Sequence, residues 1–259
     1  MVIHTVKDFG IVSTAEIDVF TDVKSASYKL SWTKISDAVS YNVYRLNDDG
    51  YELVATVDNN SYHIGGLDYG QIDTYKITAV YKSGTQKYES AYSSEVIAST
   101  TPAKVKDFTA TAYTQTVKFT WSAVENADSY NIYILEDGQY VLVGTSTGTS
   151  HKVAGLSEGT EYEFYIRAYI RLSSSTVKGS MTCVSAVTKP AKPETMSVSS
   201  VKTTSHKLSW NQTPGANYYY VYRYSSSSKK YEIIGKTESL SYTVTGLSAG
   251  KTCRQDLQL

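Results

Sequence analysis

Residues 38–54 read AVSYNVYRLNDDGYELV. Tyr41 and Val43 alternate with Asn42 and Tyr44, and successive side chains of a strand point to opposite faces, so the spacing is that of a strand with one apolar face. Asp48-Asp49-Gly50 then interrupts the run with residues that tolerate the positive φ of a tight hairpin turn. A second tyrosine-led stretch, Tyr51 to Val54, follows at once. The segment reads as a β-hairpin, with Tyr41 and Val43 turned inward and Asn42 and Tyr44 outward.

The same hairpin is written three times. Trp32, Trp121 and Trp210 stand 89 residues apart on both intervals. Each is followed by an alanine (Ala38, Ala127, Ala216), then by SYNVY, SYNIY or YYYVY with Tyr41, Tyr130 and Tyr219 in one register. A turn, a second strand (YELV, YVLV, YEII) and a Gly-Leu pair at 66–67, 155–156 and 246–247 complete each copy. The last Gly-Leu interval is 91 residues because the loop 225–230 carries two extra residues. Self-similarity at this period marks an array of like units.

Alternation within each copy separates core from surface. Leu30, Trp32, Tyr41, Val43, Tyr75, Ile77 and Ala79 share one face, as do Phe119, Trp121, Tyr130, Ile132, Tyr162, Phe164, Ile166 and Ala168. Lys29, Ser31, Asn42, Lys76 and Thr78 interleave with the first set, the pattern of antiparallel sheets with one wet face. Asp137-Gly138 repeats the hairpin turn.

About seven short strands per copy with an early buried tryptophan resemble the fibronectin type III domain. The resemblance rests on LSW (30–32), FTW (119–121) and LSW (208–210), on the Tyr-x-(Val/Ile)-Tyr strands, on GLSEGTEYEFYIRA (155–168) and on AYSSEVIASTTP (91–102). It covers nearly the whole chain. It implies an all-β chain of tandem immunoglobulin-like sandwiches: a first repeat over 1–100, a second over 101–189 and an incomplete third over 190–259. The wording Ala-x-x-Tyr-x-Val-Tyr is closest to bacterial versions found in secreted and cell-surface proteins.

Three departures from the pattern stand out. Tyr162 fits the tyrosine that pins the corner between the sheets, whereas the first copy has Asp73 and the third Cys253. Val6-Lys7-Asp8-Phe9 matches Val105-Lys106-Asp107-Phe108 but lies ten residues further from its tryptophan, so an insertion is expected between the first two strands of copy one. Aligning CRQDLQL (253–259) with YEFYIRA (162–168) puts Gln255 at a core position and leaves nothing for a final strand, which makes 191–259 the expected weakest part and the chain a fragment or one with an aberrant end.

Composition excludes several function classes. Twenty-five basic residues balance twenty-five acidic ones, which gives no net field for nucleic acid or anionic lipid. Residues 1–20 lack the features of a secretory signal, and no stretch has the apolar length of a membrane helix. Cys183 and Cys253 make neither a disulfide framework nor a metal site, and His4, His63, His151 and His206 show no paired spacing. In TGLSAGKT (245–252) only three residues separate Gly246 from Gly250, one too few for a phosphate loop, and the stretch aligns with the crossover GLSEGTEY. No nucleophile and base can be paired, so no enzyme, metal or cofactor is expected.

The resemblance implies a non-catalytic spacer or interaction array belonging to a larger secreted or cell-surface protein, with the export signal outside this chain. Thr101-Pro102 and Lys189 to Pro193 read as short, stiff linkers. The partner implied is a polysaccharide or another surface protein, with no nucleic acid, no membrane insertion and a monomeric chain. The alternative reading is a carbohydrate- or protein-binding module. Its candidate contacts are the outward tyrosines Tyr44, Tyr133, Tyr165, Tyr169 and Tyr222.

Overall fold

A computed structural model describes residues 14–250 and 255–258. Its described residues form strands and turns with no helix. The first unit contains β1 (Ile17–Thr21), β2 (Ser27–Trp32), β3 (Ser40–Asn47), β4 (Gly50–Val57), β5 (Ser61–Gly65), β6 (Ile72–Ser83), β7 (Gln86–Glu89) and β8 (Val96–Ser99). The second contains β9 (Thr109–Ala112), β10 (Thr116–Thr120), β11 (Ser129–Glu136), β12 (Gln139–Ser146), β13 (Ser150–Ala154), β14 (Glu161–Arg171), β15 (Thr176–Lys178) and β16 (Thr182–Val187). The third contains β17 (Met196–Ser199), β18 (His206–Trp210), β19 (Tyr219–Ser225), β20 (Lys230–Thr237), β21 (Ser241–Val244) and β22 (Gln255–Gln258).

Each unit pairs two antiparallel sheets in the same order. The small sheet is β1-β2-β5, β9-β10-β13 or β17-β18-β21. The facing sheet is β4-β3-β6 with β7 and β8, β12-β11-β14 with β15 and β16, or β20-β19-β22. The expected alternation is seen in the cores: Leu30, Trp32, Tyr41, Val43, Tyr75, Ile77 and Ala79 are buried together, and so are Phe119, Trp121, Tyr130, Ile132, Phe164, Ile166 and Ala168, with Tyr162 packed against them. In the third unit Leu208, Trp210, Tyr219, Val221 and Val244 cluster.

The repeated Trp and Tyr serve one local device. Each indole lies near the tyrosine of the next strand, at 5.3 Å for Trp32–Tyr41 and Trp121–Tyr130 and 5.4 Å for Trp210–Tyr219. That tyrosine's hydroxyl reaches back to accept the backbone N–H six residues earlier, from Ile35, Val124 or Thr213, at 2.7, 2.8 and 3.1 Å. A buried phenol needs a partner, and here it closes the turn that leads into its own strand. The hairpin turn is as expected: Asp137 and Gly138 both take positive φ, 48° and 77°.

Two expectations are revised and one alignment is kept. Asn42 and Thr78 face outward but are buried, because Thr56 donates to the Asn42 carbonyl (2.7 Å) and Thr78 donates to Glu89 (2.8 Å) beneath the tyrosines of that face. The matched segment Val6 to Phe9 lies outside the described residues; β1, at 17–21, pairs β2 as β9 pairs β10, and Ala15 and Ile17 enter the core as Val105 and Phe108 do. No ten-residue insertion therefore separates β1 from β2. At the other end β22 pairs β19 with Leu257 opposite Val221, the register in which Ile166 opposes Ile132, so β22 takes the place of β14 in the third unit as the alignment of Gln255 with Phe164 requires.

Candidate functional site

The five candidate tyrosines are half-buried and stand on the outward face of the larger sheets, where they divide among the three units instead of forming one site. In the middle unit β11 and β14 place Tyr133 opposite Tyr165 and Ser129 opposite Tyr169. The Tyr133 and Tyr169 hydroxyls lie 2.5 Å apart, and Tyr165 packs edge-on against Tyr140 at 4.9 Å. Burial and the Tyr133 hydroxyl push the Tyr169 phenol up to about 12, and the Glu163 carboxylate beside Tyr165 does the same there. Arg167 approaches the Tyr133 ring at 5.8 Å.

In the first unit Tyr44 donates to Glu89 at 2.9 Å and packs edge-on against Tyr92 at 5.1 Å. Tyr51, which also stacks near Tyr92, donates to Glu95, and Lys76 lies 4.5 Å over the Tyr51 ring while bridging to Glu95 at 3.2 Å. Burial and Glu95 raise the Tyr51 phenol to about 12; the Tyr51 hydroxyl and Lys76 in turn hold Glu95 low. In the third unit Tyr222 adjoins Tyr220, and Lys236 sits 3.7 Å over Tyr218. The rings in these two units already hold a cation supplied by the chain, the favourable arrangement for an aromatic face.

Sequence reasoning overlooked part of this face. Tyr51, Tyr140 and Tyr231 begin the second strand of each hairpin and share its outward side with the exposed Leu53, Leu142 and Ile233. The signal was present in YELV, YVLV and YEII, where a tyrosine and an aliphatic residue two positions apart must share a face.

The second group of residues that matters lies at the joins between units. Thr100 and Thr188 are fully buried at the start of the two linkers. Each hydroxyl accepts a backbone N–H, from Gln71 (3.0 Å) or Thr160 (2.8 Å), and donates to a backbone carbonyl, that of Asp68 (2.5 Å) or Ser157 (2.6 Å). The next residue is held alike: Thr101 N–H donates to Lys24 O, and Lys189 N–H to Tyr113 O, both at 3.0 Å. Gly70 and Gly159, 89 residues apart, then donate to Thr101 O and Lys189 O.

Across each join the same loop meets the same turn of the next unit. Asn126 donates its side-chain amide to Gly70 O at 3.0 Å, while Gly159 lies against Gly215, the residue equivalent to Asn126. At the first join Ile170, Leu172 and Val177 also pack on Phe20, Val23 and Ile97. β10 starts beside Leu156, whose N–H donates to Gln115 O, and ends at Thr120, ahead of the turn bearing Asn126. The two joins of the middle unit thus lie at opposite ends of its sandwich.

The corner tyrosine behaves as expected in the middle unit, where Tyr162 accepts the Ser157 N–H at 2.8 Å. In the first unit Asp73 instead accepts from the buried Tyr28 hydroxyl at 2.7 Å and from the Gln71 amide. Cys183 is exposed, and Cys253 lies outside the described residues. Among the described residues no three His, Cys, Asp or Glu side chains converge on a metal-sized site.

What the geometry defines is a chain of antiparallel sandwiches joined end to end by equivalent contacts. Residues 103–179 match the family model described as Fibronectin type III domain. The middle unit thus belongs to the fibronectin type III family, and the units on either side repeat its strand order. The chain is 29% identical over 256 residues to exoglucanase B of Cellulomonas fimi, covering 88% of this chain and 22% of that protein. Chitinase A1 of Niallia circulans is 30% identical over 161 residues, covering 57% of this chain and 22% of the chitinase. Among solved structures, a two-domain fibronectin type III segment of chicken tenascin has a TM-score of 0.40 at 18% identity, covering 68% of this chain and all of the segment. The chain thus spans about a fifth of the exoglucanase and of the chitinase that it resembles.

Proposed function

We propose that this chain is a non-catalytic spacer array, which holds other modules of a secreted or cell-surface bacterial protein at a fixed distance from one another or from a polysaccharide. The observation that carries this reading is the duplication of the join. Thr100, Thr101, Gly70 and Asn126 at the first are matched by Thr188, Lys189, Gly159 and Gly215 at the second. A linker bonded at successive residues to the preceding unit has little freedom left, and repetition of one join gives an array one direction.

The matched segments of an exoglucanase and a chitinase support this setting, since they leave most of each enzyme for other domains. The outward tyrosines fit a structural role in it. Their rings pair with each other, with Glu89 and Glu95, or with Lys76 and Lys236.

Small-angle scattering tests the array directly. The eleven-residue β14 corresponds to about 36 Å of strand. Three such units in line make a rod of about 100 Å with a radius of gyration of about 30 Å, against about 18 Å for a compact chain of this size. A value near the compact figure, or hydrolysis of cellulose or chitin by the chain itself, refutes the spacer reading.

A further inference from the structure

The two joins share their backbone contacts but differ in what surrounds them. Between the first and second units lies an open groove of about 630 Å³, lined by Asp68, Tyr69, Gln71, Ile72, Glu125 and Asn126 together with Ala103 of the linker. Its size is that of a small-molecule site. Tyr69 is 56% exposed and Ile72 42% exposed, although apolar residues a few ångströms away in the same join are buried.

The polar groups of this groove are mostly spoken for on their donor side. Gln71 accepts the Asp68 N–H and donates to Asp73, and Asn126 donates to Gly70 O. What remains free to face a ligand is the Asn126 carbonyl oxygen, the carboxylates of Asp68 and Glu125, and the Tyr69 ring with its hydroxyl. A surface rich in acceptors rejects anions. It suits a neutral molecule that carries many hydroxyl donors and a flat C–H face, which is the chemistry of a pyranose.

The second join is an internal control supplied by the repeat. Its equivalent residues are Ser157, Glu158, Thr160, Glu161, Ala191, Pro214 and Gly215, without an aromatic ring or an exposed aliphatic side chain from the 157–161 loop. The Glu125 carboxylate has a proline in its place there.

We propose that the groove at the first join binds a neutral oligosaccharide, with a sugar ring stacked on Tyr69 and hydroxyls donated to Asp68 and Glu125. Both units contribute to the site, so a bound chain bridges the join and stiffens it. The site adds a ligand contact to the spacer without replacing that role, and it depends on the first join being closed.

The test is calorimetric titration of the whole chain with cellohexaose and with chitohexaose, with spermidine and calcium as cation controls and scattering recorded on the same samples. Saturable binding of at least one hexasaccharide is expected. Tyr69→Ala weakens it at least tenfold, while Tyr69→Phe, which keeps the ring, and Glu158→Ala at the second join leave it within a factor of about two. Since Tyr69 is exposed, unchanged melting verifies that its variants fold. Absence of binding to both sugars by a chain that scatters as a rod overturns the proposal while leaving the spacer intact. Unchanged affinity in Tyr69→Ala, or binding of the cations alone, overturns it equally.

Discussion

Replacing Gly159 by alanine separates the cost of a backbone conformation from the cost of a broken join. Gly159 has φ of +56°, and a Cβ built there lies 2.4 Å from the Gly215 Cα and 2.5 Å from the Pro214 carbonyl oxygen. Ordinary carbon contacts begin at about 3.5 Å, so the two backbones must part by about 1 Å or more. Gly155, in the same loop, has φ of +79° but nothing within 4 Å of its would-be Cβ. Alanine at either position pays the left-handed penalty of roughly 1–2 kcal/mol, and the middle unit should melt lower by roughly 4–8 °C per kcal/mol in both. Only Gly159→Ala should release the third unit. Residual dipolar couplings measured on the middle and third units report this: one shared alignment tensor in the parent and in Gly155→Ala, two distinct tensors in Gly159→Ala. Faster cleavage after Glu194 by a glutamate-specific protease should accompany the second result. If the two variants give the same tensors and the same cleavage rate, the glycine contact does not hold the join, and the case for a directed array loses its main support.

Two further outcomes follow from the packing within units. Burial and the neighbouring Tyr75 and Asp73 push the Tyr28 phenol up, and burial foremost pushes Tyr75 up to about 12. A raised phenol pKa means that the folded state favours the neutral form, so its stability is intact below pH 10 and declines as pH rises through 10 toward 12 and beyond; thermal melts from pH 8 to 12 should show the first unit weakening over that range, with a shallower decline in Tyr75→Phe. In the middle unit Tyr133→Ala removes the hydroxyl contact with Tyr169 and the cross-strand neighbour of Tyr165, at a cost of roughly 0.2–1 kcal/mol. Retention on insoluble cellulose and chitin should not change, and loss of retention with unaltered melting would make the outer tyrosine face a ligand site.

The sandwich was legible in the sequence because its decisive signals are local. Tyr41 and Val43 alternate with Asn42 and Tyr44, and the alternation alone separates core from surface. What one strand's parity does not contain is what lies above it. Asn42 and Thr78 are outward by parity yet buried, since Thr56 and Glu89 close over them from neighbouring strands. The match of Val6 to Phe9 with Val105 to Phe108 failed as a guide for a related reason: strand pairing selects Ala15 and Ile17 to fill the core, and a four-residue resemblance carries no information about that pairing. The joins were visible only as prolines. Thr100 and Thr188 gave no sign of themselves, because a threonine hydroxyl bridging two backbone groups leaves no periodic mark.

Comparing the units with one another shows which positions the array constrains. The corner partner changes from Asp73 to Tyr162, the core-facing Arg45 is replaced by Ile134, and the outward Lys76 by Tyr165. Each of these exchanges is absorbed inside its own unit, as when Asp73 takes the hydroxyl of Tyr28 in place of a corner phenol. At the joins the backbone bonds are kept even where side chains change, because each linker is tied back to the preceding unit and the backbones of the two units come within contact distance. Gly70 and Gly159 both hold positive φ and both carry the adjoining unit against them. Thr100 and Thr188 make the same three bonds. A chain whose purpose lay within each sandwich would be expected to repeat its surfaces and vary its connections. Here the backbone contacts of the connections repeat while the surfaces vary outside the hairpin tyrosines, which is the arrangement a spacer needs, and the side chains that differ between the joins, Tyr69 foremost, mark where the proposed ligand contact fits.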